Sequence, residues 1–142
     1  MKNYVGVLCF SPDFKRLVVL KKQHGPQLLI GKLNFPGGNV EPGESEVAAA
    51  SREAREETGL ALPEDSLIGL GTVGMPDEYR LTVFYTTSAD VDQARTLTDE
   101  EVSVVTLDEL FLTAHSAPEK LSPDLPAWVS YALGHASTPA HN

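Results

Sequence analysis

The apolar residues of the chain fall into short runs separated by turn signals. Two early runs, YVGVLCF and RLVVLKK, are rich in β-forming residues, and the segment SPDFK between them is typical of a turn. Three later runs, LIGLGTVG, RLTVFYTTSA and VSVVTL, have the same character. The pattern therefore predicts five β-strands.

Other segments have the composition of helices. SEVAAASREAREETG is rich in Ala, Glu and Arg and contains no Pro or Gly before Gly59, which suits the left-handed position past a helix end. LDELF predicts a short helical turn, and PAWVSYALGHA predicts a C-terminal helix with Pro126 in its first turn. HGPQLLIGKLNFPGGNVEPGE predicts a loop. Strands around one strong helix, followed by a terminal helix, predict an α/β fold with a mixed sheet between helices.

The length of 142 residues fits one domain. We predict a single domain over residues 1–136 and a loose tail over 137–142. The sequence contains no run of about 18 apolar residues, so no membrane span is predicted. Cys9 is the only cysteine, which excludes a disulfide within the chain, and its apolar neighbours predict a buried, inert thiol. A reducing cytoplasm is the expected location.

The net charge of −9 argues against binding to a DNA or RNA backbone, since the sequence shows no basic patch. An acidic protein can still act on an anionic substrate when divalent cations lie between the two. The expected partner is therefore a small molecule, with no nucleic-acid polymer and no membrane. The sequence leaves both a monomer and a homodimer open.

Glutamates are concentrated on one side of the strongest predicted helix. Glu53, Glu56 and Glu57 project from neighbouring positions, and each close pair costs roughly a few tenths of a kcal/mol in repulsion. The helix dipole also disfavours negative charge near the C-terminal end. A hard divalent cation would reverse this balance, because Mg²⁺ prefers carboxylate oxygens. The alternative is a solvated face with intrahelical ion pairs.

The spacing of the acidic residues fits the pattern G-x5-E-x7-R-E-U-x-E-E-x-G-U, in which U is aliphatic. Its seven fixed positions are filled by Gly38, Glu44, Arg52, Glu53, Glu56, Glu57 and Gly59. If each residue type has a frequency of about 7%, a chance match has odds of around 10⁻⁶ over the chain. The stretch resembles the Nudix box, the signature of the Nudix hydrolase (MutT-like) family. Ala54 is a small occupant of the first aliphatic position, and Leu60 fills the last.

The resemblance implies a fold, an activity and a cofactor. The implied fold is an α/β/α sandwich with a mixed sheet, in which the box forms a loop–helix–loop. The implied activity is hydrolysis of a nucleoside diphosphate linked to another group, with Mg²⁺ or Mn²⁺. By the same resemblance the metal ligands are Glu53, Glu56, Glu57 and the carbonyl of Gly37.

The remaining box residues and one distal glutamate receive roles by the same resemblance. Arg52 is expected to pair with the box glutamates, and Glu44 to order the loop. Gly38 and Gly59 are structural positions of the box. The segment LTDEEVSV offers Glu100 or Glu101 as the distal carboxylate, with Glu100 preferred. Either Glu53 or the distal glutamate would take the proton from the attacking water.

The substrate is expected to be a purine nucleoside triphosphate, with 8-oxo-dGTP the best single candidate. Asn34 and Asp124 match base-reading positions of enzymes that remove oxidised purine nucleotides, with Trp128 beside them and Lys22 as a phosphate contact. Each has a structural alternative: a loop-shaping Asn, an Asp at a helix N-terminus, a core Trp and a solvated Lys. The alternative substrates are ADP-ribose and dinucleoside polyphosphates, and the alternative function is that of an inactive nucleotide sensor.

One further motif does not change this interpretation. GLGTVG matches the dinucleotide-binding pattern G-x-G-x-x-G, which must open a helix after a strand. Met75 and Pro76 follow it at once, and the next run is again strand-like. We therefore interpret the segment as a strand with glycine breaks and expect no NAD.

Overall fold

The computed structural model describes residues 1–138 and contains one mixed sheet in that range. Its strands are β1 (Lys2–Phe10), β2 (Arg16–Lys21), β3 (Leu33–Asn34), β4 (Gly37–Asn39), β5 (Ile68–Met75), β6 (Tyr79–Thr87) and β7 (Val102–Thr106). The order is β3-β2-β1-β6-β5, with β4 beside β1 and β7 beside β2. The β1–β6 pair is parallel and the other pairs are antiparallel. The five predicted strands are confirmed.

The short strand β4 fixes the loop that precedes the strongest helix. Gly37 and Gly38 pair with Gly6 and Val5 of β1, so this loop is part of the sheet rather than free of it. A Cβ atom on Gly37 would lie 2.1 Å from the carbonyl oxygen of Val5, so only glycine fits there. The segment predicted as a loop thus contains β3 and β4, which are too short to give a periodic signal.

Three helices pack on the sheet, namely α1 (Glu46–Thr58), α2 (Leu107–Ser116) and α3 (Leu125–Ser137). The side chain of Ser45 accepts a hydrogen bond from the Ala48 amide at the start of α1, and Gly59 ends it with a φ of 77°. The predicted helix and its glycine stop are therefore confirmed. Helix α2 is ten residues long, so the prediction of a short turn was wrong. The side chain of Thr106 caps it.

The C-terminal helix agrees with the sequence prediction, with Pro126 in its first turn. It continues to Ser137, one residue past the predicted end of the domain. The loose tail was predicted over 137–142, and residues 139–142 lie outside the described part of the chain. Within residues 1–138, no helix combines the length and apolar character needed to cross a membrane.

Apolar side chains pack on both faces of the sheet. Along β1, Leu8 and Phe10 contact the core under α2 and α3, whereas Val7 and Cys9 contact the core under α1. Complete burial of a side chain as large as Phe10 stabilises the fold by about 1.5–3 kcal/mol. Helices therefore cover both faces, and the predicted α/β/α sandwich is confirmed.

Two smaller predictions also agree with the structure. Cys9 is buried, and desolvation raises the pKa of its thiol to about 12, so the predicted inert thiol is present. The GLGTVG segment lies within β5 and pairs with β6 as a hairpin, with a register shift between Gly69 and Gly71. It opens no helix, so the dinucleotide pattern has no structural basis.

Candidate active site

Strand β4 and helix α1 bring two box glutamates against two backbone positions. The Gly37 amide donates a 2.8 Å hydrogen bond to Oε1 of Glu57, which is 8% exposed. A Cβ atom on Gly38 would lie 2.5 Å from the carboxyl carbon of Glu53. Gly38 therefore leaves the space that the Glu53 carboxylate occupies. Gly37 therefore binds the Glu57 carboxylate, and Gly38 leaves room for the Glu53 carboxylate.

Arg52 holds the loop and the helix together. Its Nε and Nη2 donate hydrogen bonds of 2.7 and 2.9 Å to the two oxygens of Glu44, a bidentate arrangement. Nη1 donates to Glu53 at 2.9 Å and to Glu56 at 3.1 Å, and Nη2 also donates to the Asn39 carbonyl at 2.9 Å. The Glu41 amide donates to Glu44. One guanidinium therefore partly neutralises Glu44 of the loop as well as Glu53 and Glu56 of α1, and it reduces the repulsion between the two helix carboxylates.

The three box glutamates of α1 differ in exposure. The side chain of Glu56 is 55% exposed and that of Glu53 is 15% exposed, whereas Glu57 is buried against the sheet. Within residues 1–138, no three His, Cys, Asp or Glu side chains are arranged to hold a metal ion as they stand. The reason is visible in the contacts, because Arg52 binds Glu53 and Glu56 while the Gly37 amide binds Glu57.

Burial changes the proton affinity of two of these carboxylates. Desolvation raises the pKa of Glu57 to about 7, and the hydrogen bond from Gly37 only partly opposes it. Desolvation also raises the pKa of Glu53, against the opposing hydrogen bond from Arg52. In contrast, hydrogen bonds from Arg52 and then from the Glu41 amide lower the pKa of Glu44 to about 2. A cation near Glu53 and Glu57 would relieve their cost of ionisation.

Glu100 rather than Glu101 is the buried carboxylate of the distal segment. Glu100 is 5% exposed and Glu101 is exposed. The Glu100 carboxylate accepts hydrogen bonds from the Gln23 amide at 2.7 Å and the His24 amide at 3.2 Å. Nζ of Lys22 lies 3.3 Å from one oxygen and 3.2 Å from the other. Lys22 therefore faces Glu100, and its predicted phosphate contact would have to share the ammonium with this carboxylate.

Charge links the pair formed by Lys22 and Glu100 to the box. After burial and the Gly37 hydrogen bond, the pKa of Glu57 responds to the charges of Glu53, Lys22 and Glu100. For Glu100 itself, burial acts to raise the pKa, but the Gln23 amide and the charge of Lys22 outweigh it and the pKa is lowered. The charges of Lys22 and Glu100 therefore act in opposite directions on the pKa of Glu57.

The predicted base-reading residues lie at another edge of the sheet. Leu33 bridges to Leu121, and the Ser122 amide donates to the Leu33 carbonyl at 2.8 Å, so the segment before α3 runs beside β3. Asn34 and Asp124 therefore belong to neighbouring segments. The Asn34 side chain accepts a hydrogen bond from the Phe35 amide at 2.9 Å, which is the loop-shaping alternative.

The other two members of this group behave differently. Asp124 is exposed and stands at the N-terminal cap of α3, where its side chain makes no capping hydrogen bond. Trp128 is 8% exposed and packs in the core with Val129 and Ala132, which is its structural alternative. Only a small part of its ring can reach a ligand.

Sequence reasoning missed several groups that organise the site. The Asn39 carbonyl binds Arg52, and the amides of Gln23 and His24 bind Glu100. These are backbone groups, which residue identity does not encode. His24 also contacts Asp99 at 2.6 Å across 75 positions of the chain. No local spacing could have indicated that pair.

Known proteins resemble this chain in sequence or in fold. Over 41 residues, 28% of this chain, it is 49% identical to the human mitochondrial coenzyme A diphosphatase NUDT8, and the match spans only 17% of that protein's length. The NUDIX domain of Shewanella oneidensis NrtR, solved with ADP ribose, superposes with a TM-score of 0.76 at 16% identity, covering 95% of this chain and 88% of that one.

A MutT structure, from work on the Aliivibrio salmonicida and Vibrio cholerae proteins, superposes with a TM-score of 0.66 at 24% identity. It covers 78% of this chain and 84% of the other. At these identities both structural matches establish the shared fold only. The model of the NUDIX domain matches residues 2–125, most of the chain. This match confirms the predicted family, and we conclude that the chain belongs to the NUDIX domain family.

Proposed function

We propose that this protein hydrolyses a phosphoric anhydride bond in a nucleoside diphosphate linked to another group, with a divalent metal ion. One observation carries the proposal: the loop and helix of the box place Glu53 and Glu57 against Gly38 and Gly37, while Arg52 joins the box glutamates to the loop. A merely solvated face would leave these carboxylates in water. Instead, burial raises the pKa of Glu57 to about 7.

The donor set fits a hard divalent cation. Glu53, Glu56, Glu57 and the carbonyl of Gly37 offer only oxygen atoms, which Mg²⁺ and Mn²⁺ prefer. Glu56 is half-exposed, so its carboxylate is free to turn from Arg52 toward an ion. When bound, the ion supplies charge neutralisation for phosphate oxygens and acidifies a water molecule.

The residues of the chain divide the remaining work. Arg52 keeps Glu53 in place, and its bidentate contact with Glu44 fixes the loop against α1. The reaction needs a carboxylate that takes a proton from the water attacking phosphorus, and Glu53 and Glu100 are the two candidates. The proton leaves the water as the new phosphorus–oxygen bond forms, and the bridging oxygen departs with one phosphate.

For the substrate, we propose a purine nucleoside triphosphate, with 8-oxo-dGTP as the first compound to test. The segment before α3 runs beside β3, so Asn34 and Asp124 belong to neighbouring segments of the chain, which supports this choice. Amide and carboxylate groups together offer the donor and acceptors that a guanine edge requires. ADP-ribose and dinucleoside polyphosphates are the alternatives, and coenzyme A belongs in the same panel because of the human relative.

A substrate panel tests both levels of the proposal. Purified protein is incubated with 8-oxo-dGTP, the ordinary nucleoside triphosphates, ADP-ribose, a dinucleoside polyphosphate and coenzyme A, with Mg²⁺, with Mn²⁺ or with chelator. We expect metal-dependent release of pyrophosphate and monophosphate from purine triphosphates, and loss of turnover in chelator. Turnover that persists in chelator contradicts the metal role. A wide preference for ADP-ribose or coenzyme A contradicts only the substrate assignment.

A further inference from the structure

Glu100 is the most fully engaged carboxylate outside the box. Its side chain is 6% exposed, and its two oxygens accept two backbone amides and the ammonium of Lys22. Both amides belong to the segment that follows β2. The carboxylate therefore holds the segment 22–24, which follows directly after that strand.

A second set of contacts fixes the same segment. The His24 ring contacts the Asp99 carboxylate at 2.6 Å, directly beside Glu100 in sequence. The Lys21 amide donates to the Glu101 carbonyl at 2.9 Å, and the Thr98 side chain accepts from the Glu100 amide at 3.0 Å. Residues 99–101 thus hold residues 21–24 through both backbone and side chains, and Glu100 is the buried residue of this contact.

These contacts suit Glu100 poorly to the task of a general base. A base must present an available lone pair to the attacking water within hydrogen-bond reach. Both amides donate to Oε2 and the Lys22 ammonium lies 3.3 Å from Oε1, so the carboxylate is held in one orientation, and hydrogen bonds to the charged form stabilise it against protonation. Several donors and a fixed orientation instead suit a residue that holds a neighbouring segment in place.

We propose that Glu100 is a positioning residue, which fixes segment 22–24 and holds the Lys22 ammonium just past the end of β2. The inference rests on the proposed hydrolysis for its kinetic part. It leaves Glu53 as the candidate proton acceptor. It also gives Lys22 a specific role, because its ammonium partly balances the negative charge of the buried Glu100 carboxylate. Glu100 acts through Lys22 and the loop rather than on the reacting atoms.

A double-mutant cycle distinguishes a positioning role of Glu100 from a role as general base. Glu100→Gln retains an oxygen that accepts the Gln23 and His24 amides but loses the charge that holds Lys22. We expect a loss in kcat/KM of about 10-fold, with the acid limb of the pH–kcat profile unchanged. A base would give a loss of about 10²–10⁴-fold and a changed acid limb. In a Lys22→Met background, the effect of Glu100→Gln should shrink to about 2-fold or less, because contacting residues are coupled.

Hydrogen exchange provides a readout that does not depend on turnover. In Glu100→Ala, the amides of Gln23 and His24 should exchange at least about 10-fold faster by NMR, since hydrogen bonds to a charged acceptor are lost. The matched control is Glu119→Ala, which removes an exposed carboxylate elsewhere on the surface.

The outcomes separate the two proposals. Unchanged exchange at both amides, or a full effect of Glu100→Gln in the Lys22→Met background, overturns the positioning role. If Glu100→Ala does not fold, the double-mutant cycle with Glu100→Gln and Lys22→Met still tests the positioning role, because it does not use that variant. If the parent protein hydrolyses no compound in the panel, the proposed function fails, and the exchange measurement still decides whether Glu100 holds the segment.

Discussion

The box and the predicted base-reading edge are built in opposite ways. In the box, the single side chain of Arg52 contacts Glu44, Glu53 and Glu56, so it holds three carboxylates in fixed positions. At the other edge, Asp124 is exposed and makes no capping bond, and the Asn34 side chain contacts its own neighbour in sequence. The side chains of the box already bind one another, whereas Asn34 and Asp124 would be linked only by a ligand that contacts both.

This difference tells us which changes should matter most. A site that preorganises charge for phosphate transfer loses most of its function when one charged ligand is removed. A surface that selects among substrates changes their ranking and leaves the chemistry in place. The expected effects therefore fall from the box toward the edge of the sheet.

The largest effect is expected for Glu56→Gln, which keeps the size and helix propensity of the side chain but removes the charge of a proposed metal ligand. We expect turnover of the preferred substrate to fall by at least about 10²-fold. The fold should persist, and the metal-free melting temperature should hold or rise slightly, because like-charge repulsion on α1 decreases. Glu119→Gln, at an exposed position, is the control for charge alone. Near-parental turnover of Glu56→Gln would show that the Glu56 charge has no part in the reaction.

The second-largest loss of activity is expected at Gly38, which lies beside the Glu53 carboxylate. In Gly38→Ala, the new Cβ atom would lie 2.5 Å from the carboxyl carbon of Glu53, so that side chain must move. We expect at least about a 10-fold loss in kcat, since a displacement near 1 Å in a catalytic group is costly. Gly134→Ala is the matched control, because a Cβ atom there has no atom within 4 Å. Should both variants retain parental kcat, the close contact at Gly38 has no catalytic meaning.

Some parts of this contrast were visible in the sequence and others were not. The box was predictable because its residues lie within 23 positions, from Gly37 to Gly59, and a helix fixes their spacing. Strand β4 was not, because three residues give no period. Its pairing with β1 comes from contacts about 30 positions apart in the chain.

The distal carboxylate is a second feature that the sequence could not identify. Sequence alone left Glu100 and Glu101 open, since both stand in one acidic turn. The structure buries Glu100 because backbone amides of a segment 76 and 77 positions away receive it. Amides are present at nearly every residue, so no pattern of residue types could mark those two.

A smaller effect on stability tests the loop side of the box. Hydrogen bonds from Arg52 lower the pKa of Glu44 to about 2, below its value of 4.5 in an unfolded chain. The contact therefore stabilises the fold above pH 4.5, and the stabilisation is lost as the pH falls toward 2. Glu44→Gln should lower the melting temperature at pH 6, and the difference from the parent should vanish near pH 2. A difference that stays constant across this range would contradict the ion pair.

The smallest effect on chemistry is expected at the base-reading edge. Asn34→Ala and Asp124→Ala should each reduce kcat/KM for a purine triphosphate by about 3- to 30-fold. The size reflects one or two lost hydrogen bonds rather than a lost metal ligand. Activity on pyrimidine triphosphates should change much less, so the measured quantity is the ratio between the two substrate classes.

Metal dependence separates this edge from the box. Neither Asn34 nor Asp124 belongs to the motif, so the Mg²⁺ concentration that gives half-maximal activity should be the parental one in both variants, whereas Glu56→Gln should shift it. Asp108→Ala, an exposed acidic residue in the first turn of α2, controls for charge at a helix start. If the purine-to-pyrimidine ratio is parental in both variants, Asn34 only shapes its loop and Asp124 only stands at a helix end. The base must then be selected elsewhere, while the assignment of the box remains intact.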